Sequence, residues 1–139
     1  AFYLRDLVND SVTIAQANWP SAKVSYHELS EDIILYADYG QISQVMNNLI
    51  KNAVQAGASD IDITASIDKR ERTVINVANN GEPISETGRE QIFVPFYTTK
   101  GVSGTGVGLS LCRQIIRLNG GTINLTSSTP EATVFTIVL

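Results

Sequence analysis

One cysteine and one histidine in 139 residues leave little room for thiol or imidazole chemistry. Cys112 has no partner for an internal disulfide, which predicts a reducing, cytoplasmic setting. Set inside a helical pattern, it reads as a small buried hydrophobe and not as a catalytic thiol. Positive charge is also scarce: ten Lys and Arg against fourteen Asp and Glu give a net charge of −4. Nucleic-acid binding needs a clustered basic face, and none is visible. No apolar run approaches the roughly 20 residues of a membrane helix, and no signal peptide is visible, so this segment is expected to make no direct membrane contact. Internal repeats, low-complexity tracts and long linkers are missing too. What is present is ordinary globular material, 43% hydrophobic and 17% charged, enough for a single domain over residues 1–139 with a real core. The chain opens at Ala1 directly into helical pattern, as a fragment of something longer would.

Hydrophobic spacing outlines the elements. Phe2, Leu4, Leu7, Val8 and Ile14 fall at helical intervals, giving an opening helix of about four turns that ends at Asn18-Trp19-Pro20-Ser21. Lys23 to Glu28 alternates and Ile33 to Ala37 is apolar, which predicts two strands joined by a polar turn. Asp38 is an N-cap candidate for a helix whose apolar face runs Ile42, Val45, Met46, Leu49, Ile50, Ala53 and Val54, with Gly57 as its stop. Strands follow over Asp60 to Ile67 and Thr73 to Ala78, then a short helix near Ser85 to Ile92. A further helix ends at Asn119-Gly120-Gly121, and strands over Thr122 to Thr126 and Thr133 to Leu139 close the chain. Strands outnumber helices and the two do not alternate, which fits a doubly wound fold poorly. The expected class is α+β: a two-layer α/β sandwich, with a mixed, mostly antiparallel sheet and about three helices on one face.

The chemistry concentrates at Gly104-Thr105-Gly106-Val107-Gly108-Leu109. A glycine cluster opening a helix offers backbone N–H groups and the positive end of the helix dipole to an anion. The Walker spacing Gly-x-x-x-x-Gly-Lys-[Ser/Thr] is missing, and the glycines follow a loop and not a strand, so neither a P-loop nor a dinucleotide fingerprint applies. A Lys-bearing loop ending at Lys100 precedes the cluster and is suited to closing over a polyphosphate. Asn48 and Asn52, four apart on one helix, share one side of it at the border of the apolar face. They are either solvated amides or carboxamide oxygens for Mg²⁺, which takes few protein ligands. Asn79-Asn80-Gly81-Glu82-Pro83 after a strand is a turn signal, and a polar side chain beside a glycine there also suits a flat ring.

The order Asn48-Leu49-Ile50-Lys51-Asn52-Ala53, Asn79-Asn80-Gly81, Phe93 to Lys100 and Gly104 to Leu109 resembles the catalytic ATP-binding domain of sensor histidine kinases. These stretches correspond to that family's N, G1, F and G2 boxes, and the resemblance runs from Leu4 to Leu139. It implies the Bergerat sandwich shared with gyrase, mismatch-repair and chaperone ATPases, with ATP and Mg²⁺ as ligands. By the same resemblance, Asn52 is the Mg²⁺ ligand and Lys51 a phosphate contact. Phe93 to Lys100 begins the ATP lid, Gly104, Gly106 and Gly108 hold the phosphates, and Thr133 helps hold the adenine. The family's G1 box reads Asp-x-Gly-x-Gly; here Asn79 and Pro83 stand at its first and last positions. An Asn carbonyl still accepts a bond from the adenine amino group but without charge assistance, which strengthens such bonds roughly twofold. Pro83 stiffens the pocket wall.

Hydrolysing relatives carry a Glu four residues before the Mg²⁺ Asn. Asn48 stands there and cannot act as a general base, so slow hydrolysis is expected, with γ-phosphoryl transfer to a histidine on a separate dimerisation hairpin. That hairpin is missing from this sequence, and His27 reads as an ordinary strand residue. The implied partners are the parent protein's own phosphoacceptor domain, in a homodimer, and a downstream response regulator. Three alternatives stay open: a degenerate sensing or docking module, an anti-sigma-type serine kinase, and a hydrolysing ATPase.

Overall fold

A computed structural model describes residues 1–89, 91–94 and 108–139. The elements are β1 (Phe2–Tyr3), α1 (Leu4–Asn18), β2 (Lys23–Glu28), β3 (Ile34–Leu35), α2 (Tyr39–Gln55), β4 (Asp60–Ile67), β5 (Thr73–Asn79), α3 (Glu86–Arg89), α4 (Gly108–Leu118), β6 (Thr122–Ser128) and β7 (Thr133–Val138). Five strands form one sheet in the order β2-β4-β5-β7-β6, and β1 pairs with β3 in a separate ribbon. Only β2–β4 is parallel; the other pairs of the large sheet are antiparallel. The sandwich expected from the pattern is the one observed.

Alternation decides which face of the sheet is covered. Ile61, Ile63 and Ala65 of β4, Ile75 and Val77 of β5, and Phe135 and Ile137 of β7 are buried. Their neighbours along each strand are less buried and face the other side. Three helices lie against the covered face. Central α2 packs on both α1 and α4, which in turn reach β2 and β6. Its buried stripe is Ile42, Val45, Met46, Leu49, Ile50 and Ala53, nearly the predicted face. Asp38 caps it, Oδ1 accepting from the Gln41 N–H at 2.9 Å, an arrangement worth about 1 kcal/mol. Gly57, at φ +85°, takes the left-handed turn that ends it.

The two strands expected over Lys23 to Ala37 are present, the second shortened to Ile34–Leu35, and they do not pair with each other; what fails at the N-terminal end is the placing of Phe2 and Ile14 on the apolar face of the first helix. β2 runs parallel to β4 in register Lys23↔Asp60, and the crossover that a parallel pair requires is supplied by α2. β3 instead pairs with β1, Phe2 opposite Leu35, so Phe2 belongs to a strand and not to the first helix. Ile14 is 48% exposed; the inward stripe of α1 is Leu4, Leu7, Val8, Ser11 and Ala15. Small Ser11 and Ala15, invisible to a search for large apolar residues, let α1 approach its neighbours closely. Among the described residues, no helix is long and apolar enough to cross a membrane.

Candidate functional site

The covered face of the sheet carries a cluster of three polar side chains at one end, where its other end has Thr73 alone. Asn79, the last residue of β5, stands opposite Thr133, the first of β7, and Thr133 stands opposite Ser128 at the end of β6. All three are buried, at 5%, 3% and 4% exposure, where the same rows deeper in the sheet hold Val77 and Phe135. Each is bonded: Ser128 Oγ and Thr133 Oγ1 lie 2.9 Å apart, Ser128 Oγ accepts from the Ile84 N–H at 2.8 Å, and Asn79 Oδ1 accepts from the Gly81 N–H at 2.9 Å. The Arg89 guanidinium donates to the Ser128 carbonyl, tying α3 to the same corner. A polar row kept dry and satisfied at a sheet end is the kind of preorganised surface that reads a ligand edge.

The two adjacent asparagines divide the work. Asn80 Oδ1 accepts from the Ser59 and Asp60 N–H groups at 2.9 and 3.0 Å, pinning the loop to the start of β4. Asn79 is left in the buried row with Thr133 and Ser128. Gly81 sits so close to the end of α2 that a Cβ would lie 2.8 Å from the Ala56 carbonyl oxygen and 3.0 Å from Asn79 Oδ1. The Glu82 N–H bonds that same carbonyl at 2.8 Å. The loop is therefore clamped to the C-terminus of α2, and only glycine fits there.

On α2, Asn48 and Asn52 are half-buried and Lys51 is exposed. Asn48 points at α4, where it hydrogen-bonds the Cys112 thiol. Burial pushes that thiol up to about 11, and the Asn48 bond works against the rise. Cys112 Sγ donates in turn to the Val45 carbonyl. Cys112 is thus a buried packing residue, as its setting predicted. The border position read for the two amides is also correct: they lie where α2 leaves its apolar stripe. An Asn carboxamide oxygen is a hard neutral donor suited to Mg²⁺, and no group of three or more His, Cys, Asp or Glu competes for a metal among the described residues. That donor set fits a cation that keeps waters and a ligand's phosphate oxygens in most of its shell.

Phe93 is half-buried and held from two sides. Its ring meets Phe135 edge-on, centroids 6.3 Å apart, and the Arg113 guanidinium lies 4.6 Å over its centroid. Ile92 beside it is buried. The segment leading to Lys100 is thereby anchored on β7 and α4 at its start. Gly108 and Leu109 open α4 and are half-buried. Lys100, Gly104, Thr105, Gly106 and Val107 lie outside the described residues. His27 is exposed on β2, opposite Thr64, away from the polar row and consistent with a plain strand residue. Sequence reading missed Ser128, Arg89 and Arg113. Ser128 had a usable signal, since counting back across the hairpin from Thr133 lands on it.

Comparison with known proteins bears on this geometry. Residues 37–139 match the family of histidine kinase-, DNA gyrase B- and HSP90-like ATPases. Sensor histidine kinase ZraS of Salmonella typhimurium is 31% identical over 140 residues, covering 98% of this chain and 30% of the relative; the chain thus spans under a third of that protein's length. The nucleotide-free catalytic domain of histidine kinase ThkA superposes with a TM-score of 0.86 at 33% identity, over 99% of this chain and 92% of that one. ThkA in complex with the response regulator TrrA matches with a TM-score of 0.81 at 30% identity, over 99% of this chain and 40% of that one.

Proposed function

This chain belongs to the histidine kinase-, DNA gyrase B- and HSP90-like ATPases, as an ATP-binding catalytic domain of the sensor histidine kinase type, and from that premise we propose that it holds Mg-ATP for γ-phosphoryl transfer to a histidine on a separate dimerisation domain. The observation that carries the reading is the buried row Asn79–Thr133–Ser128 beside the glycine-clamped end of α2. In this reading residues 1–139 are one catalytic domain.

The roles follow from the chemistry of each group. Asn79 and Thr133 meet the base edge, and Gly81 keeps the wall flat enough for a ring to approach. Asn52 supplies an oxygen to Mg²⁺, and Lys51, exposed one residue earlier, reaches toward the phosphates. Mg²⁺, when bound, offsets phosphate charge as the phosphoryl group is transferred. Phe93 fixes the root of the lid that carries Lys100, and the stretch from Gly104 to Leu109 receives the phosphates at the N-terminus of α4.

Asn48 sets the reaction type. A carboxamide takes no proton at working pH, so the position four residues before Asn52 cannot activate water. The γ-phosphoryl group therefore waits for an imidazole docked in line. The acceptor lies outside this chain, as does a downstream response regulator; the ThkA complex with TrrA supports expecting one.

A second reading has one observation in its favour. Asn79 replaces the acid expected from the resemblance, and its oxygen is already engaged by Gly81, which suits a docking module that has lost nucleotide. Calorimetric titration of a non-hydrolysable ATP analogue, with and without Mg²⁺, separates the two. Mg²⁺-dependent binding in the micromolar range supports the kinase reading, and no heat at millimolar ligand overturns it.

A further inference from the structure

The buried carboxamide of Asn79 has a fixed orientation. Gly81 presents an N–H to it at 2.9 Å, and a donor can be met only by the oxygen end of an amide. The loop cannot rotate this bond away, because Gly81 is wedged against the Ala56 carbonyl and the Glu82 N–H is bonded to that same oxygen at 2.8 Å. Among the described residues the remaining capacity of the side chain, one lone pair on Oδ1 and the donor group Nδ2, has no other partner. A carboxylate held in the same way has acceptors only.

The neighbouring row has the same two-way character. Ser128 Oγ and Thr133 Oγ1 share a bond of 2.9 Å in which either atom can be the donor, with Ser128 Oγ also receiving the Ile84 N–H. Turning that shared proton makes the Thr133 hydroxyl a donor or an acceptor toward a ring nitrogen, directly or through a water.

We propose that Asn79 sets a relaxed specificity at purine position 6, so that the site takes 6-oxopurine nucleoside triphosphates as well as ATP. The proposal rests on the nucleotide site described above. An adenine amino group bonds the remaining lone pair of Oδ1; a 6-oxo group accepts from Nδ2 once the base slides along the fixed amide from its oxygen end to its nitrogen end. The ring nitrogen next to it, bare in adenine and protonated in hypoxanthine, is met by the hydroxyl pair in its two settings. Aspartate at position 79 would place two acceptors face to face with the 6-oxo group.

The test is competitive binding of the magnesium salts of ATP and inosine triphosphate, which differ only at position 6 and the adjoining ring nitrogen. The wild-type chain is expected to bind the two within about tenfold of each other. Asn79→Asp is expected to widen the ratio by at least about tenfold, through loss of inosine triphosphate, because an unshared acceptor pair is left buried. ATP binding with inosine triphosphate weaker by more than that margin in the wild type overturns the proposal and leaves the nucleotide site standing, as does a ratio that Asn79→Asp leaves unchanged. Failure of both nucleotides to bind overturns the proposal and the site together. The wild-type ratio decides even where the variant fails to fold.

Discussion

Replacing Gly81 by alanine asks whether the clamp between the loop and α2 is what shapes the site. The added Cβ would lie 2.8 Å from the Ala56 carbonyl oxygen, 3.0 Å from the Ala56 Cβ and 3.0 Å from Asn79 Oδ1. Two of these atoms belong to Ala56 at the C-terminal end of α2, and the third is the Asn79 carboxamide oxygen held by the Gly81 N–H, so no long side chain can swing aside. Ordinary contact requires each gap to open by about half an ångström or more. Opening them stretches the Glu82 N–H bond to Ala56 and the Gly81 N–H bond to Asn79, at 2.8 and 2.9 Å. Overpacking costs about 1–3 kcal/mol, and weakening two buried bonds adds about 1 kcal/mol, for a loss of about 2–4 kcal/mol in stability.

Gly121→Ala is the matched comparison. Its Cβ would lie 2.2 Å from the Val138 carbonyl oxygen and 2.7 Å from Leu139 Cδ2, a worse clash at the far end of β6 and β7 from Thr133 and Ser128. Urea denaturation of both variants, with ATP-analogue affinity measured where both remain folded, separates fold from site. Gly81→Ala is expected to lose stability and at least about tenfold in affinity, because Asn79 is displaced. Gly121→Ala is expected to lose stability alone. Gly81→Ala with a wild-type midpoint and affinity would refute the clamp, and a larger affinity loss in Gly121→Ala would refute the location of the site.

Asn52→Ala is expected to abolish the Mg²⁺-dependent part of ATP binding with the denaturation midpoint near wild type; unchanged affinity in calorimetry removes Asn52 from the metal site. Cys112 titrates from about 9 in the unfolded chain to about 11 in the fold. Between those values the unfolded state sheds its proton first, so stability present below pH 9 is lost as pH rises, by a few kcal/mol at most, on the order of 1.4 kcal/mol for each unit of the rise. Denaturation midpoints of wild type and Cys112→Ala across pH 8–11 check this, and parallel curves contradict it. Asn48→Glu puts a carboxyl where the carboxamide now meets the Cys112 thiol of α4, turned away from an attacking water, so multiple-turnover phosphate release should rise by less than about tenfold, short of what a working general base supplies. A larger rise would mean that the missing base alone separates this site from a hydrolase.

Where the reading depended on local spacing, the sequence told most of the story. The rhythm from Ile42 to Ala53 has one solution, and Asp38 and Gly57 bracket it with caps whose chemistry is short-range. β4 and β5 are joined by a tight charged turn, so their limits could be read to within a residue. β2 and β3 show the opposite case. Both segments are strand-like, but sheet membership is a non-local choice. Ile33 and Leu35 are buried in the core while Ile34 and Leu35 pair with β1, which leaves β2 to lie beside β4. Nothing within Lys23 to Ala37 encodes that preference.

The site divides along the same line. Spacing alone placed Asn48 and Asn52 on one side of α2, and no pattern could say that Asn48 meets Cys112, since that contact depends on how α4 crosses α2. Asn79 and Thr133 are fifty-four positions apart and became a pair only through the resemblance, because a polar residue ending a strand looks the same whether it faces water or a ligand. What sets them apart in the structure is their burial together: three polar side chains end the rows that hold Val77, Phe135 and Leu125, where the other end of β5 has the single buried Thr73. Burying such groups without partners costs about 1–3 kcal/mol each, and here every one is bonded, to a turn, a hydroxyl or a loop amide. A fold that only needed stability would fill these positions with valine. A bonded polar row at the sheet's end suits a ligand that is polar and flat, and Asn79, which with Pro83 departs from the pattern of the resembling family, is the residue whose replacement tests that directly.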